Sequence, residues 1–213
     1  MRKTLWLLGC LVVLNPFAVA AGANDATTTE PEATATPALF VQDLGNRALA
    51  VVTDKSLTQE QRVDHYRTLL RESFDLATIG RFVIGRAWAQ ATPEQRATYS
   101  ELFEALVVKI YGDRLALAPG ASFGVRAARP ESDHEFIVAS EVQRAQGPPV
   151  RIDWRVRQKG DRYAILDVVV DGVSLSVTQR QEYTAIIQKS GGVEGLLDRM
   201  RQRLNTPAAP QPG

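Results

Sequence analysis

The 213-residue sequence predicts an α+β fold, with helices packed on one face of a curved, four-stranded antiparallel sheet. Three observations carry this prediction. Apolar residues recur at helical spacing up to about residue 115, alternate with polar residues between 123 and 171, and return to helical spacing after Gly172. Short connections join the predicted strands, and only antiparallel neighbours can be joined in that way.

Four helices are predicted in the front half of the chain. The first covers Phe40 to Val52, and Ser56-Leu57-Thr58-Gln59 offers a capping box for a second that ends near Phe74. Asp75 can cap a short third helix. Thr92-Pro93-Glu94-Gln95 starts the fourth and longest, because a hydroxyl cap is followed by proline at the first helical position and glutamine at the third.

Four strands follow, and two helices end the folded part. The strands are predicted at residues 123–129, 135–144, 150–159 and 162–171. The third strand shows the clearest alternation, with Val150, Ile152, Trp154 and Val156 on one face and Arg151, Asp153, Arg155 and Arg157 on the other. The helical period then returns around Tyr183 to Ile187 and again from Val193 to Leu204.

Composition excludes two broad classes of protein. The 25 Lys and Arg residues nearly balance the 24 Asp and Glu residues, which argues against a nucleic-acid-binding protein. A hydrophobic content of 45% with 23% charged residues argues against an intrinsically disordered chain. The length suits one domain that can bury a core without disulfides or metals.

The chain ends carry no predicted fold. Residues 1–20 predict a cleaved signal peptide, because Arg2 and Lys3 precede a short apolar core and Ala18-Val19-Ala20 suits cleavage. Such a signal predicts export, and cleavage removes Cys10, the single cysteine; an uncleaved N-terminal anchor and lipid attachment at Cys10 are the alternatives. Residues 21–37 predict a flexible linker, 38–205 the folded domain and 206–213 a disordered tail.

No residue pattern predicts a catalytic or metal site. His65 and His134 are the two histidines, too few for the three or four ligands of a usual zinc site. Ser174 lacks the second glycine of a nucleophile elbow. Tyr163 and Asp167 share a strand face by simple alternation, but four residues separate them by about 13 Å. We therefore expect no enzyme activity, no metal and no cofactor.

Three stretches of the sequence together resemble the MlaC family of periplasmic phospholipid-binding proteins. They are Phe74 to Trp88, Thr92 to Tyr111, and Asp167-Val168-Val169-Val170-Asp171-Gly172-Val173-Ser174-Leu175 with Gly192 to Leu196. The resemblance covers about residues 38–205. It implies a fold related to the NTF2-like proteins and a soluble, monomeric shuttle. It also implies two partners, an inner-membrane ABC transporter (MlaFEDB-like) and an outer-membrane lipoprotein–porin complex (MlaA-like), which together maintain outer-membrane lipid asymmetry.

A lipid carrier needs an apolar cavity, because each CH₂ group withdrawn from water gains about 0.8 kcal/mol. The alternative for every candidate is an ordinary core position. The cargo also stays open, since a hopanoid or other isoprenoid lipid is possible, and a non-lipid adaptor would have a filled core. The predicted lining residues are Ile79, Val83, Phe103, Leu106, Val107, Ile110, Tyr111, Phe136, Val138, Ile152, Trp154, Leu166, Val168, Val170, Val173 and Tyr183.

Two groups of cations have two interpretations each. The series Arg151, Arg155, Arg157 and Lys159 could bind a partner or an anionic headgroup, or could be the solvated face of a strand. Arg81 and Arg86, near Trp88, could contact phosphate or form surface salt bridges. In both cases the sequence favours the second interpretation.

Overall fold

A computed structural model of the chain describes residues 36–112, 121–144 and 147–206, including the side chains of all of these except 111 and 112. Several segments lie outside the described residues. They are the predicted signal peptide 1–20, the predicted linker up to residue 35, residues 113–120, residues 145–146, and residues 207–213 of the predicted tail. The first helix begins at Pro37, capped by Thr36, so the last two residues of the predicted linker belong to its start.

Helices precede and follow a single sheet, which confirms the predicted α+β fold class. No helix of the described ranges is long and apolar enough to cross a membrane. The elements are α1 Pro37–Thr53, α2 Gln59–Ser73, α3 Leu76–Ile84, α4 Ala87–Gln90, α5 Pro93–Gly112, β1 Ser122–Pro130, β2 Glu135–Gln143, β3 Val150–Lys159, β4 Arg162–Val170, β5 Val173–Ser174, α6 Leu175–Lys189 and α7 Val193–Asn205.

The sheet has the order β1-β2-β3-β4-β5, and every neighbouring pair is antiparallel. The four predicted strands are present, but the sequence prediction missed β5, which pairs Val173 with Val170. Asp171 and Gly172 between them have φ angles of 47° and 85°. An Asp-Gly pair with two positive φ angles makes the tight turn that suits a two-residue hairpin.

Two helix starts follow their predicted caps. The Asp75 carboxylate accepts a hydrogen bond from the Thr78 amide at 3.1 Å, at the start of α3. At the start of α5, the Thr92 hydroxyl accepts from the Gln95 amide at 3.2 Å, and the Gln95 side chain accepts from the Thr92 amide at 3.1 Å. This reciprocal pair satisfies two backbone donors that the helix leaves open.

The capping box of α2 lies two residues later than the sequence prediction of Ser56 and Gln59. Thr58 is the cap, and its side chain and that of Gln61 each accept from the other residue's amide. Ser56 instead donates its hydroxyl to Asp54 at 2.6 Å. Because both Ser56 and Thr58 can cap, the sequence alone did not fix which residue begins the helix.

Helices α1 and α2 cover the apolar face of the sheet. α1 packs on β1, β2 and β3, and α2 packs on β4. The Phe123 ring lies so close to the α1 backbone that a Cβ atom at Gly45 would overlap it. At the junction of α2 and α3, Phe74 forms a bridge with Ile165, and the Asp75 amide donates to the Ile165 carbonyl at 3.0 Å. The junction thereby fixes both helices to β4.

Candidate functional site

Two groups of apolar side chains form the interior of the described residues. The first, which we call the sheet cluster, lies between the sheet and helices α1 and α2; its buried members are Val41, Leu44, Tyr66, Leu69, Val138, Val156 and Ile165. The second, the helical cluster, comes from α3 to α7; its buried members are Val83, Ile84, Ala87, Tyr99, Phe103, Leu106, Tyr183, Leu196, Leu197 and Met200.

Most aromatic rings of the sheet cluster are only half-buried. Tyr66 is buried at 5% exposure, but six other aromatic residues keep part of their surface open. Some of the rings pack on each other: the Tyr163 ring centre lies 5.9 Å from that of Phe40 and 6.2 Å from that of Phe136. The half-buried rings, which leave apolar surface for a ligand to cover, are Phe40, Phe74, Phe123, Phe136, Trp154 and Tyr163.

Trp154 is held in one orientation by the sheet. Its indole N–H donates to the Ser140 hydroxyl at 2.8 Å, and that hydroxyl donates to the Ile152 carbonyl at 3.0 Å. Ser140 is only 2% exposed, and the Phe123 ring meets Trp154 edge-on with centres 6.3 Å apart. Since the polar edge of the indole is satisfied within the protein, the exposed part of Trp154 can serve as an apolar surface.

The aromatic residues of the helical cluster are more fully buried than those of the sheet cluster. Leu196 and Leu197 are 0% and 1% exposed, and of its aromatic residues only Trp88 is half-buried. The buried Tyr99 hydroxyl donates to the Gly80 carbonyl at 2.8 Å. Burial raises the pKa of the Tyr99 phenol far above its ordinary value, so the ring stays neutral. These features are those of a filled core.

Eleven of the sixteen residues predicted to line a cavity are divided between the two clusters. Ile79, Val83, Phe103, Leu106, Val107, Ile110 and Tyr183 belong to the helical cluster. Phe136, Val138, Trp154 and Val168 belong to the sheet cluster. Ile152, Leu166, Val170 and Val173 belong to neither, and the Tyr111 side chain lies outside the described residues.

Five of the predicted residues share one face of the sheet and are all half-buried. We call them the apolar sheet patch: Phe136, Ile152, Trp154, Val168 and Val170. Ile152 pairs with Val170 and Trp154 with Val168 across β3 and β4. Paired residues, and residues two apart in a strand, project from the same face. The patch therefore extends over β2, β3 and β4, and three of its five members belong to the sheet cluster.

A β-bulge in β4 takes Leu166 out of the regular pairing with β3, although the residue is buried at 9% exposure. Simple alternation predicts Leu166 on the core face, but the pairing shifts between Arg155 and Val156, so that Val156 pairs with Ile165. Ile165, at 0% exposure, takes the place in the sheet cluster. Sequence reasoning missed Ile165 because a bulge within a run of consecutive apolar residues leaves no change of period to detect.

The same bulge separates Tyr163 from Asp167, so the prediction that they share a face is wrong. Tyr163 belongs to the sheet cluster. Asp167 lies opposite Arg155 in the register of β3 and β4, on the other face of the sheet. The Asp167 carboxylate accepts from the Ser174 hydroxyl at 2.5 Å and from the Ser176 amide at 3.1 Å. These bonds join the end of β4 to the start of α6, which is a structural role.

Two cations of the third-strand series form ion pairs on the outer face of the sheet. Arg155 and Arg157 both contact the Glu135 carboxylate at 2.8 Å. The hydrogen bonds from Arg157, followed by those from Arg155, outweigh partial burial and lower the pKa of Glu135. Arg151 makes no ion pair within the described part of the chain. The paired arrangement suits the solvated-face interpretation.

Lys159 links the end of β3 to the start of α3. Its ammonium lies 2.5 Å from the Asp75 carboxylate, whose side chain is 9% exposed. Burial alone would raise the pKa of Asp75, but hydrogen bonds from Lys159 and Thr78 outweigh it, and the pKa is lowered. The link joins an element of the helical cluster to the sheet.

Neither Arg81 nor Arg86 makes a salt bridge with a described residue, contrary to the interpretation that the sequence favoured. The Arg81 guanidinium instead lies 5.9 Å from the centre of the Trp88 ring, and that of Arg96 lies 5.4 Å from it. Both are cation–π distances. Contact of Arg81 and Arg86 with an anion stays a prediction.

The site offers apolar contact rather than reactive groups. Among residues 36–112, 121–144 and 147–206, no group of three or more His, Cys, Asp or Glu side chains is placed to hold a metal ion. What the arrangement can do is cover apolar ligand surface on the patch while the bulk of the core stays filled.

In a comparison with known protein families, residues 42–202 match the family described as MlaC protein. The chain belongs to the MlaC family. The matched range begins within α1 and ends within α7, and it spans most of residues 38–205, over which the sequence resemblance extends. A curated relative from Haemophilus influenzae, the intermembrane phospholipid transport system binding protein MlaC, is 21% identical over 179 residues, covering 80% of this chain and 83% of the relative.

A solved structure is also similar to this MlaC-family chain. It is the phospholipid-binding protein from Ralstonia solanacearum, determined in complex with a phospholipid. The two chains share 26% sequence identity and superpose with a TM-score of 0.70, covering 80% of this chain and 97% of the Ralstonia protein. The likeness agrees with the α+β fold described above.

Proposed function

We propose that this MlaC-family chain binds a phospholipid through its acyl chains and carries it across the periplasm. Family membership supports this function, as does similarity to a protein whose structure holds a phospholipid. The observation that carries it is the apolar sheet patch, where five apolar side chains on one sheet face are only half-buried. A protein that had no apolar ligand would gain stability by covering them.

The acyl chains lie against the apolar sheet patch and the half-buried rings beside it. Each CH₂ group removed from water contributes about 0.8 kcal/mol, so the tens of methylenes in a phospholipid suffice for binding without polar contacts. Trp154 supplies a ring whose orientation is fixed through Ser140. The headgroup stays near solvent, and its charge is not buried.

The helical residues of the predicted lining divide by exposure. Val83, Phe103, Leu106 and Tyr183 are at most 5% exposed and act as core residues. Ile79, Val107 and Ile110 are half-buried and are available to border the acyl chains from the helical side. We therefore narrow the proposed lining to the half-buried members of the set.

The transport role follows from the family. The carrier would receive and deliver lipid at an inner-membrane ABC transporter (MlaFEDB-like) and an outer-membrane lipoprotein–porin complex (MlaA-like), maintaining outer-membrane lipid asymmetry. The name of the Haemophilus relative, an intermembrane phospholipid transport system binding protein, supports a role in lipid transport between membranes. Binding and release require no bond to be made or broken, so we propose that the chain acts as a monomeric carrier and not as an enzyme.

The test compares the lipid content of two charge-introducing variants. The mature protein and the variants Val168→Glu and Ile186→Glu are purified from the periplasm without detergent, and extracted lipids are measured by mass spectrometry. Val168 lies in the apolar sheet patch, and Ile186 is a half-buried residue of the helical cluster. We expect phospholipid near one per protein in the wild type, a loss of most of it in Val168→Glu because a carboxylate would contact the acyl chains, and retention in Ile186→Glu.

Thermal unfolding of each variant shows whether it is folded, so that loss of lipid is not mistaken for loss of structure. A folded Val168→Glu protein with undiminished phospholipid would contradict the proposed site. An empty wild-type protein would contradict the function and favour a non-lipid adaptor. A hopanoid or another isoprenoid in place of phospholipid would keep the site and change the cargo.

A further inference from the structure

A second apolar surface lies outside both clusters, on helices α3 and α6. Phe82 and Val177 are 41% and 42% exposed, which is unusual for large hydrophobic residues of this chain. They line a shallow surface groove of about 530 Å³ with polar neighbours from α6. We call this the α3–α6 groove; its lining residues are Phe82, Val177, Arg180, Gln181, Thr184, Ala185 and Gln188.

The groove lining carries one charged side chain, that of Arg180. The Arg180 guanidinium lies over the Phe82 ring, 4.8 Å from its centre. The guanidinium also lies against Gly85, where a Cβ atom would be in contact with its nitrogens at 3.4 Å. The exposed Arg81 and Arg86 flank Phe82 in the chain, and residues 76–90 contain no acidic residue.

Two acidic residues on or beside the helices of the groove form ion pairs. Glu182, the acidic residue of α6, contacts Arg203 of α7 at 2.8 Å. Asp75, at the start of α3, pairs with Lys159. No carboxylate lines the groove itself. Arg180, the one charged residue of the groove lining, therefore gives the groove a positive potential that favours an anionic partner.

We propose that the α3–α6 groove is where this chain rests on the surface of an anionic phospholipid bilayer. Apolar side chains flanked by arginine suit the boundary between headgroups and acyl chains, where apolar groups enter and guanidinium groups stay with the phosphates. Two exposed apolar side chains fall short of the roughly 800 Å² per partner that a stable protein interface covers. The choice of a bilayer over an acidic protein rests on the proposed lipid-carrying function.

Sedimentation with vesicles tests the proposal on the mature full-length protein. One set of vesicles is phosphatidylcholine alone, and the other is an equal mixture of phosphatidylcholine and phosphatidylglycerol. We expect binding to the anionic vesicles, weaker at high salt, and little binding to the neutral ones. Arg180→Gln and Phe82→Ser should each weaken the binding, by roughly fivefold for the lost charge.

Control variants carry similar substitutions outside the groove. Leu39→Ser replaces a 51% exposed leucine of α1, and Arg129→Gln replaces an exposed arginine of β1. Thermal unfolding confirms that all four variants are folded. Equal binding to neutral vesicles, no binding, or the same loss in the controls as in the groove variants would overturn the proposal. So would binding only to an acidic protein.

The two proposals fail separately. The groove variants should keep their bound phospholipid, because neither residue belongs to the apolar sheet patch. A wild-type protein that holds no lipid but still binds anionic vesicles would contradict the carrier function and support the proposed role of the groove. A protein that holds phospholipid but does not bind vesicles would support the carrier function and contradict the proposed role of the groove.

Discussion

The helical cluster and the sheet cluster are built from similar residues but are filled to different degrees. Three of the four aromatic residues of the helical cluster are buried, whereas six of the seven in the sheet cluster are half-buried. Tyr99 in the first is 1% exposed, and Trp154 in the second keeps an open face. The difference indicates that the helical cluster stabilises the fold, whereas the sheet cluster leaves apolar surface for a ligand.

The difference in burial between the two clusters has a structural cause. Helices α3 to α7 surround the helical cluster, so each can turn an apolar stripe toward the others. The sheet presents one broad apolar face, and α1 and α2 cover it. Ile152 and Val170, paired across β3 and β4, belong to neither cluster and stay half-buried. An incompletely covered sheet face is a natural place for an apolar ligand.

The largest expected effect removes a buried side chain from the helical cluster. Leu197→Ala deletes atoms that are 1% exposed, so the free energy of unfolding should fall by about 2–5 kcal/mol through lost burial and a cavity. Chemical denaturation measures it. The lipid content of the protein that remains folded should be unchanged, because Leu197 lies outside the proposed site.

The matched change in the other region is Val170→Ala in the apolar sheet patch. Val170 is half-buried, so truncation should cost about 1 kcal/mol or less, and its main effect should be a lower lipid content. If Val170→Ala destabilised the protein as much as Leu197→Ala, the sheet patch would be a filled core, and the contrast between the regions would be lost.

A smaller effect is expected at Asp75, which joins the two regions through Lys159. Asp75→Asn keeps a side chain that can cap α3 but removes the charge, so it should lower the free energy of unfolding by about 1 kcal/mol at neutral pH. The pKa of Asp75 lies below its ordinary value of 3.8 in the folded protein. The stabilisation is therefore present above that value and is lost as the pH falls through the folded-state pKa.

Denaturation as a function of pH gives the check. The gap between the wild type and Asp75→Asn should close as the pH drops below 3.8, since protonation then removes the same charge. Lys159→Met should remove most of the pH dependence that Asp75 contributes. A gap that is constant down to acid pH would show that the cap, and not the pair with Lys159, accounts for the stabilisation.

The sequence predicted the fold class and the main elements because periodicity and caps are local signals. The start of α5 at Thr92 and the faces of β3 were correct for this reason. The β5 strand was missed because two residues carry no period, although Asp171-Gly172 was a usable turn signal. The MlaC family could be recognised from the ordered stretches alone.

The division of the apolar residues could not be predicted from the sequence. Phe103 and Phe136 are the same residue type at equally apolar positions, yet the first is 5% exposed in a helical core and the second is half-buried on the sheet. Core and lining positions require the same chemistry, so only packing separates them. The bulge at Leu166 depends likewise on the partner strand, which no local pattern reports.

The smallest expected effect concerns the second ion pair between the two regions, Arg71 of α2 with Glu104 of α5. The Arg71 side chain is 62% exposed, with 2.7 Å between the charged groups. Arg71→Gln should change the free energy of unfolding by about 0.5 kcal/mol or less, because solvent screens such a pair. Arg67→Gln, which breaks a pair with Asp64 inside α2, is the matched control. A loss at Arg71 well beyond that at Arg67 would show that α2 and α5 depend on this contact, and the two clusters would then be coupled through the surface as well as through Asp75.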